Sequence, residues 1–327
     1  MSQRSVYFNG QYVPDTEARV SIFDSALMVG DMAFEMTRTY NQQLFKLREH
    51  LERLYASLRL LEIDCGLTIE EMEQKTVECL ERNLPTESKE MDWQIMHNVS
   101  RGPLSLYTSL FPQGLEPTVT ISCWPLITHM GRFAPKYKSG VDIVIPAQQA
   151  IPAHLLDAKA KTRSRLHYQM ASMQATRMNP PGAWPVLLDP DGFLTEGPGW
   201  NILLVKEGEI LSPESRNILL GVSRATLFDI AREEGIPIRE TNLGRYEALT
   251  ADEIFCTATS FGAVHAASFE GQPIGNGQPG SVLTRIREAW KKQVGVDFIT
   301  QAEQYAEQLS GWESAALASA MTPSSAH

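Results

Sequence analysis

The sequence is poor in cysteine, in positive charge and in long apolar runs. Its four cysteines have no CxxC or metal-ligand spacing and lie among apolar residues, which favours free buried thiols over a disulfide framework or a metal centre. The formal net charge of −10 and a pI near 5.3 argue against a nucleic-acid or anionic-membrane partner. No run approaches the length of a membrane span, and the N-terminus lacks the apolar core of a secretory signal. The sequence therefore predicts a soluble protein in a reducing cytoplasm.

The chain is long enough for two domains that share a cleft. Its 327 residues are 43% hydrophobic, which is sufficient for two full cores. A stretch with proline, glycine and several basic residues predicts a linker at 128–139, between an N-terminal domain at 1–127 and a C-terminal domain at 140–312. The Ala- and Ser-rich end at 313–327 has too little apolar periodicity to fold alone, and we expect a disordered tail there.

Several local patterns predict individual helices and turns. Asn9 and Gly10, between two short apolar runs, form a strong hairpin signal. Leucines spaced by three and four residues give one apolar face to a helix over 48–61. Thr68 is the expected cap of a second helix, and a third amphipathic helix is expected over 221–234.

The most informative stretch surrounds Glu196. An apolar run ends at the turn of residues 191–192, a second run leads to Glu196, and a Gly-Pro-Gly loop follows. A lone acid beside glycine-rich backbone is well placed to face a flat, nitrogen-containing cofactor, and Lys161 upstream is a natural covalent partner. Pyridoxal chemistry needs both groups, because an amine must bind the aldehyde and an acid must keep the ring nitrogen protonated. Alone the pattern is weak, since a glutamate at a hairpin end is usually solvated.

Other segments suit the phosphate of the same ligand. Residues 221–224 at a helix start offer backbone N–H groups and the positive end of the helix dipole. Thr257, Thr259 and Ser260 offer hydroxyls at a strand end. Arg53 lies on the first helix opposite its leucines and could reach a phosphate as a fixed cation, although a solvated surface arginine is the alternative.

In collinear order over about residues 6–295, these motifs resemble those of the fold type IV pyridoxal-phosphate enzymes. That class includes branched-chain aminotransferases, D-amino-acid aminotransferases and aminodeoxychorismate lyase. The matching segments are residues 9–10, 18–21, 30–38, 44–54, 160–161, 195–201, 220–224, 251–259 and 271–280. The resemblance implies an α+β fold with a small N-terminal α/β domain and a larger C-terminal pseudo-barrel domain. It also implies pyridoxal 5′-phosphate in the cleft between them and a homodimer.

The resemblance assigns roles to particular positions. Lys161 corresponds to the lysine that binds the cofactor covalently and acts as the catalytic base, and Glu196 to the acid that pairs with the ring nitrogen. The corresponding phosphate ligands are Arg53, the backbone N–H groups of Val222 and Ser223, and the hydroxyl of Thr259. Lys159 is a rival for the lysine role, and the spacing to the glutamate that is usual in the family favours Lys161.

The substrate pocket is harder to assign. Phe34 and Arg38 match a branched-chain motif in which a Phe, a small residue and an Arg line the pocket, with Met36 in place of the small residue. A surface arginine is the alternative for Arg38. Arg101 lies in a segment resembling the one with which D-amino-acid aminotransferases and the lyase hold a carboxylate. With Ser260, these residues form the predicted substrate side.

The resemblance implies a transaminase that moves an amino group between an amino acid and a 2-oxo acid, with branched-chain substrates favoured. A D-amino-acid aminotransferase is one alternative, and the lyase is another that Met36 disfavours because it occupies the characteristic Thr position. Leu166 and Trp200 also depart from the branched-chain pattern. His167 and His265 are possible acid–base groups, but such histidines are more often structural or solvated.

Overall fold

A computed structural model of the chain describes residues 4–112 and 114–321, with side chains as far as residue 314. In chain order the first elements are β1 (Ser5–Phe8), β2 (Gln11–Pro14), α1 (Ser25–Val29), β3 (Met32–Tyr40), β4 (Gln43–Leu44), α2 (Leu47–Leu61), α3 (Ile69–Asn83), β5 (Trp93–Ser100), β6 (Thr118–Pro125) and α4 (Ile127–Phe133). The remaining elements are α5 (Pro135–Ser139), β7 (Val141–Val144), α6 (Leu166–Ala175), β8 (Trp184–Pro185), β9 (Glu196–Gly197), β10 (Trp200–Lys206), β11 (Glu209–Pro213), α7 (Val222–Glu233), β12 (Ile238–Thr241), α8 (Arg245–Leu249), β13 (Glu253–Ala258), β14 (Gly262–Phe269), β15 (Gln272–Pro273), α9 (Ser281–Val294) and α10 (Phe298–Met321). The chain divides into two compact units, residues 1–134 with 296–327 and residues 135–295.

The first unit is built on a six-stranded antiparallel sheet with strand order β2-β1-β6-β5-β3-β4. The hairpin predicted at residues 9–10 joins β1 to β2. The helix predicted over 48–61 is α2, and its Leu51, Leu54 and Leu58 are buried in the core that α2 and α3 share with the sheet. Thr68 caps α3, which confirms the predicted start of that helix.

The C-terminal helix α10 also belongs to the first unit, where it packs against α4. The Nε2 of Gln301 donates to Asp92 Oδ2 at 2.8 Å, and the hydroxyl of Tyr305 accepts from the Asp92 N–H at 2.9 Å. The predicted domain boundary is therefore wrong here, because polar side chains tie residues 296–312 to the N-terminal sheet.

The predicted linker at 128–139 is helical. It falls within α4 and α5, and its Met130 and Tyr137 are buried. The boundary between the two units lies between residues 134 and 135. Pro135 does not break the structure because it occupies the first position of α5, where proline is tolerated. The prediction of a disordered tail at 313–327 is also wrong in part, since α10 continues over 313–321. Residues 322–327 of that predicted tail lie outside the described part of the chain.

The second unit contains a mixed sheet with strand order β12-β11-β10-β13-β14-β7-β8, to which β9 and β15 add at β10 and β14. The pairs β11–β12, β7–β14 and β7–β8 are parallel, and the other pairs are antiparallel. The amphipathic helix expected over 221–234 is α7. Sheets and helices in both units confirm the predicted α+β class. In the part of the chain described, no helix has both the length and the apolarity needed to cross a bilayer.

Candidate active site

Glu196 is the buried acid at the centre of the candidate site in the second unit. It lies on β9, opposite Asn201 on β10, and is 4% exposed. Its Oε1 accepts the hydroxyl of Tyr168 at 2.5 Å. Its Oε2 accepts the side-chain amide of Asn201 and the backbone N–H of Leu219, each at 2.9 Å. Three neutral donors from α6, β10 and the loop before α7 therefore fix this carboxyl group.

The surroundings of Glu196 have opposing effects on its pKa. Burial raises the pKa of Glu196, while the hydrogen bond from Tyr168, the charge of Arg165, the Leu219 N–H and the charge of Lys161 all act to lower it. The Asn201 amide and the Leu219 N–H can only donate, so Oε2 is held as an acceptor and cannot carry a proton. The direct donors of this buried carboxyl group are all neutral, and an acceptor site of this kind suits a cationic ligand atom.

Lys161 and Lys159 differ in their positions. The side chain of Lys159 is 43% exposed, and its Nζ lies 3.9 Å from Asp157 Oδ1. Lys161 is half-buried, and its ammonium group is close enough to lower the pKa of Glu196. The charge of Lys161 therefore acts on Glu196, whereas Lys159 lies at the surface.

The predicted phosphate groups lie beside the same carboxylate. Val222 and Ser223 are buried in the first turn of α7, where N–H groups have no partner within the helix. The preceding residue, Gly221, touches Asn201, since a Cβ on Gly221 would lie only 2.2 Å from Asn201 Oδ1. A glycine is therefore required there, and it brings the positive end of the α7 dipole against a residue that binds Glu196.

The hydroxyl residues follow at the end of β13. Thr257 is paired with Asn201 across β10 and β13, and its own hydroxyl donates to the Gly262 carbonyl at 2.8 Å. Thr257 therefore closes the β13–β14 hairpin. Thr259 and Ser260 form the turn that follows and are half-buried. The strand register thus carries them past Asn201 to the same end of the sheet.

Arg53 lies in the first unit and is bound to Glu35. Its Nε and Nη2 donate to the two oxygens of Glu35 at 2.8 and 2.7 Å, and its side chain is mostly buried. His50 Nδ1 lies 3.1 Å from the same carboxylate. Burial alone would raise the pKa of Glu35, but Arg53 and His50 hold it well below its usual range. The solvated-surface alternative for Arg53 is therefore wrong.

Arg38 is a core residue, which corrects its predicted role on the substrate side. It is 0% exposed, its guanidinium lies 3.6 Å from Asp92, and it donates to Gln301 Oε1 at 3.1 Å. The guanidinium also stacks on Tyr40 at 3.9 Å from the ring centroid. Helix α10 supplies the Gln301 contact, and the sequence placed that helix in the other domain. Phe34, on the same strand, is also buried.

Arg101 is exposed, but its donors are engaged at the end of α2. The guanidinium donates to Asp31 Oδ2 at 2.8 Å and to the carbonyl oxygens of Leu61 and Glu62 at 2.6 and 2.8 Å. These carbonyls are among the last of α2 and have no partner within the helix. The contacts give Arg101 a structural role as a cap of α2.

The two histidines that the sequence left open are both uncharged near neutral pH. His167 is stacked on Tyr168 at 4.0 Å between ring centroids, and burial and the nearby Arg165 lower the pKa of His167 to about 4. Burial and Arg287 lower the pKa of His265 to about 4 as well. Neither imidazole has the pKa near neutrality that favours a general acid or base.

Sequence reasoning missed Tyr168 as a member of the site. Tyr168 and Glu196 are 28 residues apart and meet only because α6 packs beside β9. Asn201 was part of the recognised motif, but its contact with Glu196 was not foreseen. The one available signal was the proximity of Tyr168 to Lys161 along the chain, and that signal did not specify a partner.

These features define the class of protein. The α+β fold, the buried acid within the electrostatic influence of a lysine, and the adjacent helix N-terminus are those of a fold type IV pyridoxal-phosphate enzyme. The donor set fits the group, because Glu196 suits a protonated ring nitrogen and the first turn of α7 suits a phosphate.

Comparison with known proteins leads to the family. A model of the family described as Amino-transferase class IV matches residues 32–269. A Methanocaldococcus jannaschii protein, provisionally named a branched-chain-amino-acid aminotransferase, is 33% identical over 288 residues, 88% of this chain and 95% of its own. The D-alanine aminotransferase of Bacillus licheniformis is 28% identical over 290 residues, 88% of this chain and 96% of its own.

A solved structure agrees with these relatives. The T.th. branched-chain amino acid aminotransferase, crystallised with pyridoxamine 5′-phosphate, matches with a TM-score of 0.79 at 26% identity, over 90% of this chain and 95% of that one. The chain belongs to the class IV aminotransferases, and it is a pyridoxal-phosphate-dependent aminotransferase.

Proposed function

We propose that the protein transfers the amino group of branched-chain L-amino acids to 2-oxo acids, with Lys161 and Glu196 at the centre of the site. The observation that carries this proposal is the buried carboxyl group of Glu196, whose direct donors are all neutral and on whose pKa the charge of Lys161 acts. The names of the archaeal relative and of the solved neighbour support the substrate class.

In the proposed mechanism, Glu196 holds a proton on the ring nitrogen of the cofactor. Pyridoxal phosphate, when bound, supplies an electron-withdrawing ring that stabilises negative charge at the substrate α-carbon. Glu196 maintains that property because an ionised carboxylate favours the protonated nitrogen. Asn201 and Leu219 keep the carboxylate oriented by donating to its Oε2.

Lys161 moves the proton in this scheme. With the cofactor bound, the Lys161 amine would act as the general base that takes the α-proton of the donor amino acid, and its ammonium form would act as the acid that gives the proton back. The face of the bound substrate on which Lys161 lies would determine which α-proton moves. The charge of Lys161 and that of Arg165 both act on Glu196, so the base and the acid partner are electrostatically coupled.

The proposed phosphate ligands are the N–H groups of Val222 and Ser223, the hydroxyl of Thr259 and the guanidinium of Arg53. The first three lie at one end of the second unit, and the dipole of α7 supports an anion there. Arg53 is included because of the family resemblance, and Glu35 fixes the orientation of its guanidinium. Ser260, next to Thr259, remains the proposed hydroxyl on the substrate side.

Substitution of the two lysines tests the proposal. Lys161→Ala should abolish turnover and the visible absorbance of the lysine-bound cofactor, because the covalent partner and the base are lost together. Lys159→Ala is the matched control, and it should retain both properties because Lys159 lies at the surface. If Lys161→Ala kept its absorbance and Lys159→Ala lost it, the assignment of the lysine would be reversed.

A second candidate function is D-amino-acid transamination, which the Bacillus licheniformis relative favours. Purified enzyme should therefore be assayed with L-leucine and with D-alanine as amino donors and one common 2-oxo acid as acceptor. Branched-chain specificity predicts turnover with L-leucine that exceeds turnover with D-alanine. The opposite order would favour the second candidate, and pyruvate release from aminodeoxychorismate would favour the lyase.

We also propose that the protein is a cytoplasmic homodimer. Seven large apolar side chains are exposed on two neighbouring segments of the first unit: Val20, Ile22, Leu27, Met28, Val29, Leu106 and Leu110. Phe23 and Tyr107 join these segments, with ring centroids 4.9 Å apart. An exposed apolar cluster of this kind is typical of a protein interface. Four free, buried cysteines favour a reducing compartment.

Light scattering coupled to gel filtration tests the dimer. The wild-type chain should have twice the monomer mass, and Ile22→Glu with Leu106→Glu should convert it to monomer. Leu60→Glu is the control, because Leu60 is exposed on α2 outside this cluster. A wild-type monomer would contradict the proposal.

A further inference from the structure

Tyr168 provides the shortest contact to Glu196 and has no role in the mechanism above. It lies in the first turn of α6, the helix that follows the Lys161 segment, and it is buried. Its hydroxyl donates to Glu196 Oε1 at 2.5 Å, a distance typical of hydrogen bonds to an ionised acceptor. The lysine and the partner of the acid are thus carried by adjoining parts of the chain.

The two oxygens of Glu196 are used unequally. Oε2 accepts two N–H donors, from Asn201 and Leu219, whereas Oε1 accepts the hydroxyl of Tyr168. A carboxylate oxygen has capacity for about two hydrogen bonds, so Oε1 retains capacity for one further donor. The Tyr168 hydroxyl therefore decides the direction in which Oε1 can receive a ring N–H.

Tyr168 also acts on the protonation state of Glu196. Oε2 faces two N–H groups, so a proton on the carboxyl would have to sit on Oε1, and the Tyr168 hydroxyl would then have to accept instead of donate. Burial raises the pKa of Glu196, and the Tyr168 hydrogen bond is the largest effect that opposes this rise. Burial and Glu196 raise the pKa of Tyr168 well above its usual value, so the phenol stays protonated and able to donate.

We propose that Tyr168 is a positioning residue that keeps Glu196 ionised and leaves one lone pair of Oε1 directed at the protonated ring nitrogen of the cofactor. The inference rests on the proposed role of Glu196. It assigns to Tyr168 a task separate from cofactor attachment and proton transfer, so its loss should change recognition of the ring nitrogen more than recognition of the phosphate.

The test measures binding, independently of turnover. Full-length protein freed of cofactor is titrated with pyridoxal phosphate and with its 1-deaza isostere, which has C–H in place of the ring nitrogen. The wild type should prefer pyridoxal phosphate. Tyr168→Phe keeps the ring but removes the hydroxyl, and it should reduce that preference by roughly tenfold. Affinity for the isostere should stay within about twofold, and the lost preference should be greater at pH 6 than at pH 8.

Tyr137→Phe is the control. Tyr137 is another buried tyrosine of the second unit, and its hydroxyl donates to the Phe261 carbonyl at 2.8 Å. Its removal should leave the preference unchanged. If Tyr168→Phe folds poorly, 3-fluorotyrosine at position 168 supplies a stronger donor of nearly equal size, and it should extend the preference to lower pH.

The outcomes distinguish a failure of the role proposed for Tyr168 from a failure of the role proposed for Glu196. Equal weakening of both ligands by Tyr168→Phe, or an unchanged preference in both position-168 variants, would overturn the role of Tyr168 while leaving Glu196 in place. A wild-type protein that binds both ligands equally would overturn the proposed role of Glu196, and this inference with it.

Discussion

Two buried carboxyl groups, Glu35 in the first unit and Glu196 in the second, have different surroundings. Glu35 accepts two hydrogen bonds from the guanidinium of Arg53, and His50 contacts the same group. The three direct donors of Glu196 are a phenol, an amide and a backbone N–H, all neutral. Although both groups are buried, the pKa of Glu35 is held well below its usual range and that of Glu196 is raised.

The difference separates a structural ion pair from a binding site. Glu35 has its positive partner within the unit, so its charge is compensated as soon as the unit folds. Glu196 is oriented for the ionised form without a cation among its direct donors, and a buried charge of this kind is costly unless something compensates it. A protonated ring nitrogen would supply that compensation when the cofactor binds. The comparison predicts that one acid contributes mainly to stability and the other mainly to function.

The largest expected effect is on stability at Glu35. Glu35→Gln leaves Arg53 buried beside a neutral amide and should lower the free energy of unfolding by about 3–5 kcal/mol. Urea denaturation followed by fluorescence and circular dichroism measures the change. Glu49→Gln is the control, since Glu49 lies on α2 with its side chain 49% exposed. A urea midpoint equal to that of the wild type would show that Glu35 does not stabilise the fold as the partner of Arg53.

The reciprocal substitution is Glu196→Gln, which should affect turnover and leave stability nearly unchanged. The amide can still accept from Asn201 and Leu219, and the hydroxyl of Tyr168 can turn to accept from the new NH₂ group. Because the ring nitrogen loses its ionised partner, kcat/KM should fall by about 10²–10³-fold. Steady-state kinetics and a urea titration on one preparation test both statements. A large loss of stability with intact turnover would make Glu196 a second structural acid.

A smaller effect is expected from His97, which lies on β5 opposite Glu35 of β3 and near His50. Burial lowers the pKa of His97 to about 4, and its Nε2 lies 2.8 Å from Thr76 Oγ1. The unfolded chain binds a proton near the ordinary value of 6.5, so the unfolded state holds more protons between pH 6.5 and 4. Stability should therefore be lost as pH falls through that window, by up to about 2–3 kcal/mol from this group.

His97→Gln should remove this part of the pH dependence, because glutamine does not titrate and can still donate to Thr76. Urea midpoints of variant and wild type at pH 5 and pH 7 provide the measurement. His154→Gln, at an exposed position, is the control. Parallel pH profiles for wild type and His97→Gln would mean that His97 is charged in the folded protein or does not titrate in this range.

Local patterns predicted the parts of the fold and site that depend on neighbouring residues. The leucine spacing of α2, the Thr68 cap and the turn before Glu196 are each set by residues a few positions apart. The position of α10 was not predictable in this way, because Gln301 and Tyr305 reach a partner more than 200 residues away. A polar contact across such a distance leaves no periodic signal in the sequence.

The same distinction applies to the site. Lys161 and Glu196 were predicted because their motifs are local and collinear with a known family. Arg38 was misassigned because a motif gives a residue type but not its partner, and the partner, Gln301, comes from α10. Tyr168 was missed for the converse reason: it has no motif, and only the packing of α6 beside β9 brings it to Glu196.

The smallest predicted effect concerns Arg165, whose charge acts on Glu196. Arg165 lowers the pKa of Glu196 by its charge and lies over the Tyr168 ring, 4.3 Å from its centroid. Arg165→Gln should therefore weaken pyridoxal phosphate binding by about two- to fivefold, about 0.5–1 kcal/mol, because a partly exposed charge is screened by solvent.

Added salt should change the effects of Arg165→Gln and Glu35→Gln differently. It should reduce the effect of Arg165→Gln, since screening weakens interactions between separated charges. It should leave the cost of Glu35→Gln almost unchanged, since Arg53 and Glu35 are in direct contact and shielded from solvent. Arg163→Gln is the control for an exposed arginine two residues away. If salt changed both effects equally, Arg53 would be acting on Glu35 through solvent. The distinction between Glu35, which has a cationic partner, and Glu196, which has none among its direct donors, would then fail.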